Sequence, residues 1–115
     1  MENPFVYPLC DQTVTVYRKE VGGITRRVLG SCFYHWEQRQ VESEEGYRQV
    51  TKFLLILPGN SFRLRIGDRV LDGVGPKTVD WETFLPVNVQ GLGEVAYVTP
   101  WYWEGKLCHT EAGRK

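Results

Sequence analysis

The segment from Tyr47 to Pro76 constrains the fold of this chain most strongly. The apolar run 53–57 is followed by the turn 58–60. The alternating run 62–66 is followed by the turn Gly67-Asp68, and a last short run, 69–72, ends at Gly73. Pro-Gly-Asn and Gly-Asp sequences are favourable in tight turns. Three short strands separated by turns therefore indicate an antiparallel β-unit. Nothing in this segment has the pattern of a catalytic motif.

The composition favours a single all-β domain. The chain has 115 residues, which is the usual size of one domain. Aromatic residues make up 13% of it, and they favour strands because large flat side chains pack well on a pleated surface. Twelve glycines and six prolines supply the turns that many short strands need. We therefore expect residues 1–115 to form one domain.

Alternation of apolar and polar residues predicts strands in the rest of the chain. They are Thr13–Tyr17, Thr25–Val41, Tyr47–Leu57, 93–98 and Leu107–Glu111. Gly30 lies inside the second of them, where a glycine typically marks a bulge or a bend. Because antiparallel strands in this number normally curl until few edges are exposed, the predicted fold is a small, partly open antiparallel β-barrel.

Two segments depart from the strand pattern. Residues 1–11 contain Pro4 and Pro8 among apolar residues, and proline cannot donate to a central ladder. This predicts an irregular N-terminal arm that packs on the domain or on a partner. The segment 80–85 predicts at most one short helical turn, which Asp80 can cap.

Charge and hydropathy disfavour several kinds of partner. Basic and acidic residues balance at 14 each, so the chain lacks the cationic surplus with which proteins grip DNA phosphates. No run is apolar over the ~18–20 residues that a membrane span needs. The start of the chain, 1–4, lacks the features of a signal peptide. We expect synthesis in the cytoplasm, no membrane association, no cofactor and no small-molecule substrate.

Cysteine and histidine offer two possible chemistries. Cys32 with His35 and Cys108 with His109 are the ligand types of tetrahedral zinc, and a Cys–His pair is also the core of a thiol nucleophile. Residues at odd separations on one strand point to opposite faces, which disfavours both arrangements. Three cysteines without an export signal favour reduced thiols. The chain is therefore expected to be neither a metalloprotein nor an enzyme.

Two carboxylates lie close together in the sequence beside glycines: Asp68 in the Gly67-Asp68 turn and Asp72 in the Asp72-Gly73 turn. Paired carboxylates can act as acid and base. At strand ends beside glycine, however, aspartate more commonly accepts hydrogen bonds from nearby backbone and stabilises the turn. We expect the structural role here.

An alternative function is suggested by basic residues interleaved with aromatic ones. An OB-like barrel could bind single-stranded nucleic acid through such a face, by stacking and by charge. The residues concerned are Arg26, Arg27, Tyr34, Arg63 and Arg65. Against this, the alternation of arginine with apolar residues in 62–66 is typical of the solvent side of an ordinary strand.

Aromatic residues near both ends of the chain predict an interface. Trp101, Tyr102 and Trp103 are consecutive, and three consecutive side chains on a strand cannot all face one core. Exposed aromatic residues are typical anchors of protein interfaces. We expect part of this cluster, or Phe5 and Tyr7 of the arm, to contact a partner.

The order of these features resembles that of a known family. The features are 13–17, a strand ending near Trp36, the unit 53–58 with Ile66-Gly67-Asp68-Arg69-Val70-x-x-Gly73, the strand 95–98 and the late Leu107-Cys108-His109. This pattern resembles the small head-completion proteins of tailed phages and prophages, also called minor capsid or head-closure (stopper) proteins. The Trp-Tyr-Trp run and the long arm are departures from it.

The resemblance implies a non-enzymatic virion assembly protein of the head–tail neck. Such a protein forms a ring of identical subunits that joins the portal and its adaptor to the tail, with double-stranded DNA passing close by. In that family one loop can narrow the DNA channel, and the acidic loop Glu42, Glu44 and Glu45 is the corresponding candidate here. By composition alone, this loop is a solvated hairpin tip.

Overall fold

The structure is a computed structural model that describes residues 7–60 and 62–115. Within them lie seven strands and no helix. The strands are β1 Gln12–Glu20, β2 Gly23–Ser43, β3 Gly46–Pro58, β4 Arg69–Asp72, β5 Leu92–Glu94, β6 Tyr97–Trp103 and β7 Lys106–Arg114. They form one antiparallel sheet in the order β5-β4-β1-β2-β3-β7-β6. The described part of the chain contains no helix with the length and apolar character needed to span a bilayer.

The sheet curls into a barrel that does not close completely. β5 and β6 are its two edge strands, and the short connection between them returns to β7. There the Ala96 N–H donates to the Gly113 carbonyl over 2.8 Å, and Arg114 Nε donates to the Glu94 carbonyl over 3.2 Å. The all-β, partly open barrel predicted from the sequence is confirmed. Residues 7–11 are irregular, as expected for an arm.

β2 serves both halves of the barrel because a bulge interrupts it. Its first half pairs with β1 and its second half with β3, and the register shifts between the pairs Val14–Leu29 and Gln12–Cys32. One extra residue on β2 is accommodated there. The irregularity predicted at Gly30 is confirmed, although the left-handed backbone is that of Ser31, with φ 54°.

Two groups of buried side chains hold the barrel together. The larger lies between the halves of the sheet and includes Val14, Val16, Leu29, Cys32, Tyr34, Phe53, Leu55, Leu57, Leu64, Val70, Val95 and Ala112. The smaller is formed by Tyr17, Phe84 and Leu92 under the connection from β4 to β5. Arg69 fixes this connection, because its guanidinium lies 3.8 Å over the Trp81 ring and donates to the carbonyls of Trp81 and Phe84.

One of two local expectations requires correction. Residues 62–66 are not a strand but a loop. The loop is held by Asp68, which accepts a hydrogen bond from the Arg65 N–H over 2.9 Å and is paired with Arg18. The segment 80–85 stays within the predicted limit of one short helical turn: the Phe84 N–H donates to the Asp80 carbonyl over 2.9 Å, and the Asp80 carboxylate caps the turn by accepting the Glu82 N–H over 3.3 Å.

Candidate functional site: a projecting ribbon, an aromatic hairpin and a groove

The β2–β3 hairpin extends well beyond the barrel as a two-stranded ribbon. Pairing continues from Phe33–Ile56 out to Ser43–Gly46. Residues 38–49, on both faces of the ribbon, are all exposed. A two-stranded ribbon without a covered face is marginally stable in water. A long ribbon of this kind therefore suits contact with another molecule.

The tip of the ribbon is acidic and also carries a tyrosine. Glu44 and Glu45 form the two-residue loop, and Glu42 is paired with Tyr47 on one face just behind it. The Ser43 hydroxyl donates to the Gly46 carbonyl over 2.8 Å and secures the loop. Tyr47 is 69% exposed. The three glutamates named from the sequence thus lie at the end of the ribbon. The sequence analysis did not identify Tyr47, which lies beside them, as a candidate contact residue.

The β6–β7 hairpin presents the aromatic cluster. Trp101, Tyr102 and Trp103 are exposed by 44%, 58% and 46%. The expectation that these residues cannot all enter the core is confirmed. Strand alternation places Tyr102 on the opposite face from Trp101 and Trp103, and the register of β6 against β7 shifts between Trp101 and Tyr102. Trp101 stacks on the His109 ring with centroids 5.9 Å apart.

The described part of the arm packs on the outer face of β7. The Tyr7 hydroxyl lies 2.9 Å from His109 Nδ1 and donates to the Cys108 carbonyl over 3.2 Å. Its ring meets the His109 ring edge-on. Burial lowers the pKa of His109, so the neutral imidazole is favoured. Tyr7 therefore contacts its own domain, whereas Phe5 lies outside the described residues.

A groove of about 920 Å³ lies between Asn60 and residues 62–64 on one side and the β6–β7 hairpin on the other. Its walls include Phe62, Leu64, Val98, Pro100, Tyr102 and Leu107. Arg63 and Lys106 border it, and both are exposed. The groove is thus partly apolar inside and basic at the rim. It was not predicted, because 62–66 had been interpreted as a strand of the sheet.

One wall of the groove is fixed by a buried ion pair. Arg18 donates to both Asp68 oxygens over 2.8 Å and to the Arg63 carbonyl over 2.8 Å. Asp68 is only 1% exposed. The hydrogen bond with Asp68 raises the pKa of Arg18, which stabilises the charged guanidinium. Asp68 therefore has the structural role expected for it, and Asp72 lies exposed at the end of β4.

The residues of the nucleic-acid alternative do not form one face. Tyr34 is buried, and its hydroxyl donates to the Gly91 carbonyl over 2.9 Å, so its ring cannot stack on a base. Arg26 donates to the carbonyls of residues 75 and 76. Arg27, Arg63 and Arg65 are exposed, and the Arg27 guanidinium lies 5.5 Å from the centroid of the Phe62 ring.

The cysteines and histidines are likewise separated. Cys32 is buried and His35 is exposed, as strand alternation predicts. Burial raises the pKa of the Cys32 thiol to about 11, which disfavours a thiolate at neutral pH. Across 7–60 and 62–115, no three His, Cys, Asp or Glu side chains are grouped so that they could hold a metal ion.

No family model, curated protein or solved structure matches this chain.

Proposed function

We propose that this chain is a non-enzymatic virion assembly protein of the head–tail neck of a tailed phage or prophage. In this proposal, identical copies form a ring between the portal with its adaptor and the tail. The ribbon formed by residues 38–49 is the observation that carries the proposal, because it stands outside the barrel with both faces exposed. An element of this length without a core of its own is suited to bridging between subunits.

The aromatic hairpin supports the same function. Trp101, Tyr102 and Trp103 expose large side chains on a short, twisted hairpin, and buried aromatic anchors commonly dominate the energy of interfaces. Each such anchor is worth about 2 kcal/mol or more when a partner covers it. Contact with a portal, adaptor or tail protein would bury them.

Passage of DNA through the ring is also part of the proposal. Carboxylates around a channel repel the phosphates and let the duplex slide instead of holding it. In a ring, the acidic tip of Glu42, Glu44 and Glu45 would face either the axis or the neighbouring copy. Reversing the charge of these glutamates distinguishes the two orientations. It would alter contact with DNA only if the tip faces the axis of the ring.

The genes on either side of this one provide the first test. Portal, protease, capsid and tail genes in one run are expected, and an unrelated neighbourhood would overturn the assignment. The second test is co-production with the neighbouring portal and adaptor, followed by electron microscopy. A ring below the portal is expected. A chain that stays monomeric with both proteins present would contradict the proposal.

Single-strand binding is the alternative function, and Arg27, Arg63 and Arg65 favour it, because all three are exposed and the Arg27 guanidinium lies 5.5 Å from the centroid of the Phe62 ring. It predicts micromolar binding of oligonucleotides that weakens steeply with salt. A neck protein is expected to show no such binding even at low ionic strength. Fluorescence anisotropy with a labelled single strand distinguishes the two functions.

A further inference from the structure

The acidic ribbon tip and the basic groove lie at opposite ends of the same strand. β3 begins at Gly46, beside the tip, and ends at Pro58, where the chain enters the loop that walls the groove. The Gly59 N–H donates to the Cys108 carbonyl over 2.8 Å, which holds this end against the β6–β7 hairpin. Thirteen residues of strand span about 40 Å. A tip therefore cannot reach the groove of its own chain.

The two surfaces are complementary in charge and polarity. The tip carries Glu42, Glu44 and Glu45, all exposed. The groove is bordered by the exposed Arg63 and Lys106. Arg27 adds a third cation close by, since its guanidinium lies 5.5 Å from the centroid of the Phe62 ring on the groove wall. Opposite potentials of this kind fix the register and orientation of an interface.

The groove also suits the apolar part of the tip. Tyr47 projects from the same face as Glu42 and is 69% exposed. Phe62, Leu64 and Leu107 offer it an apolar wall. A tyrosine seated in such a pocket and surrounded by ion pairs is a common arrangement at interface centres.

We propose that the ribbon tip of one copy docks into the groove of the next. Each copy then donates its tip at one end of β3 and accepts a neighbour's tip at the other. Such a heterologous contact generates a closed ring when the rotation between copies closes. This inference rests on the proposed ring and names the contact that builds it. It also places the three glutamates against a neighbouring chain and not in the DNA channel.

Charge reversal on each side tests the docking. Glu44→Lys with Glu45→Lys should weaken self-association at least tenfold, and Arg63→Glu with Lys106→Glu should do the same. All four changes in one chain should restore association, because the charges are again opposite. Lys19→Glu with Lys77→Glu is the matched control, since both lysines are exposed and the change of net charge is the same as for the groove variant. Sedimentation velocity over a concentration series measures the association, and circular dichroism checks the fold of each variant.

A photo-reactive phenylalanine analogue in place of Tyr47 gives a second readout. Cross-linked dimers with adducts in 62–64 or 100–107 of the other copy are expected. Association that survives both reversals, or adducts elsewhere, would overturn the docking and leave the ring proposal standing. If tip reversal leaves association unchanged but increases retention of duplex DNA, the tip faces the channel and the docking is wrong. A wild-type chain that neither associates nor cross-links at any concentration would overturn the docking, whereas the ring itself is tested with portal and adaptor present.

Discussion

Replacement of Asp68 by asparagine should destabilise the protein strongly. The substitution preserves the shape of the side chain but removes the charge that two Arg18 N–H groups and the Arg65 N–H now face, at 2.8, 2.8 and 2.9 Å. Removing one partner of a buried ion pair typically costs about 3–5 kcal/mol of stability. Because the Arg18 side chain retains 16% exposure, water solvates part of the orphaned charge. We therefore expect a loss of about 3 kcal/mol, out of a total stability of roughly 6–17 kcal/mol for a chain of this length.

Urea unfolding followed by tryptophan fluorescence measures this loss, and a double-mutant cycle isolates the pair. Arg18→Met should cost about as much as Asp68→Asn, and the double variant scarcely more than either. The partly exposed pair of Lys52 and Glu37, also 2.8 Å long and with side chains 38% and 35% exposed, is the control. Lys52→Met should cost less than about 1 kcal/mol. Additive effects at Arg18 and Asp68, or a loss below about 1 kcal/mol for Asp68→Asn, would refute the reasoning.

Two further substitutions test the packing of β7. Gly113→Ala should lower the free energy of unfolding in urea by about 3 kcal/mol, because a Cβ there would overlap the Phe53 backbone carbonyl, which cannot move without breaking the sheet. Gly30→Ala in β2 is the control, and it should be neutral or slightly stabilising because there is open space around Gly30. Equal effects at both glycines would contradict this reasoning. Acidification should destabilise the protein as the pH falls below 6.5, the ordinary pKa of histidine, because burial lowers the pKa of His109 in the folded chain and the unfolded chain takes up its proton first. Urea unfolding at a series of pH values should show a smaller loss of stability in acid for His109→Gln than for the wild type. An unchanged profile in His109→Gln would contradict the assignment.

The strands were predictable where alternation is local and strong. The segment 13–17 and the segment 53–57 lie within β1 and β3, and the irregularity near Gly30 is present in β2. The boundaries were too narrow because polar strand ends, such as those of β2 and β3, have no alternation to mark them. Pairing across the ribbon, and not the sequence pattern, extends these strands to Ser43 and Gly46.

The loop 62–66 shows why the groove escaped prediction. Its alternation of apolar residues and arginines imitates a strand, yet Ile66 is 71% exposed and Leu64 alone is buried. What decides its conformation is Arg18, which lies 50 positions from Asp68 in the chain and holds both Asp68 and the Arg63 carbonyl. A contact between residues so far apart has no local sequence signal. The exposure of the aromatic residues at 101–103 was easier to predict, since three consecutive side chains on a strand cannot all enter one core.

The sheet order also has a consequence for synthesis of the chain. β1, β2 and β3 are neighbours in sequence and can pair as soon as they leave the ribosome, since local contacts form fastest. The second edge of β3 stays unpaired until β7 has been synthesised, and β7 is the last of the seven strands of this sheet in chain order. At cellular rates of translation, this leaves the apolar run 53–57 with an open edge for on the order of 3–10 s. The nine residues of β7 thus act as the closing step of folding, and a nascent chain arrested before Lys106 is the species that molecular chaperones would need to protect.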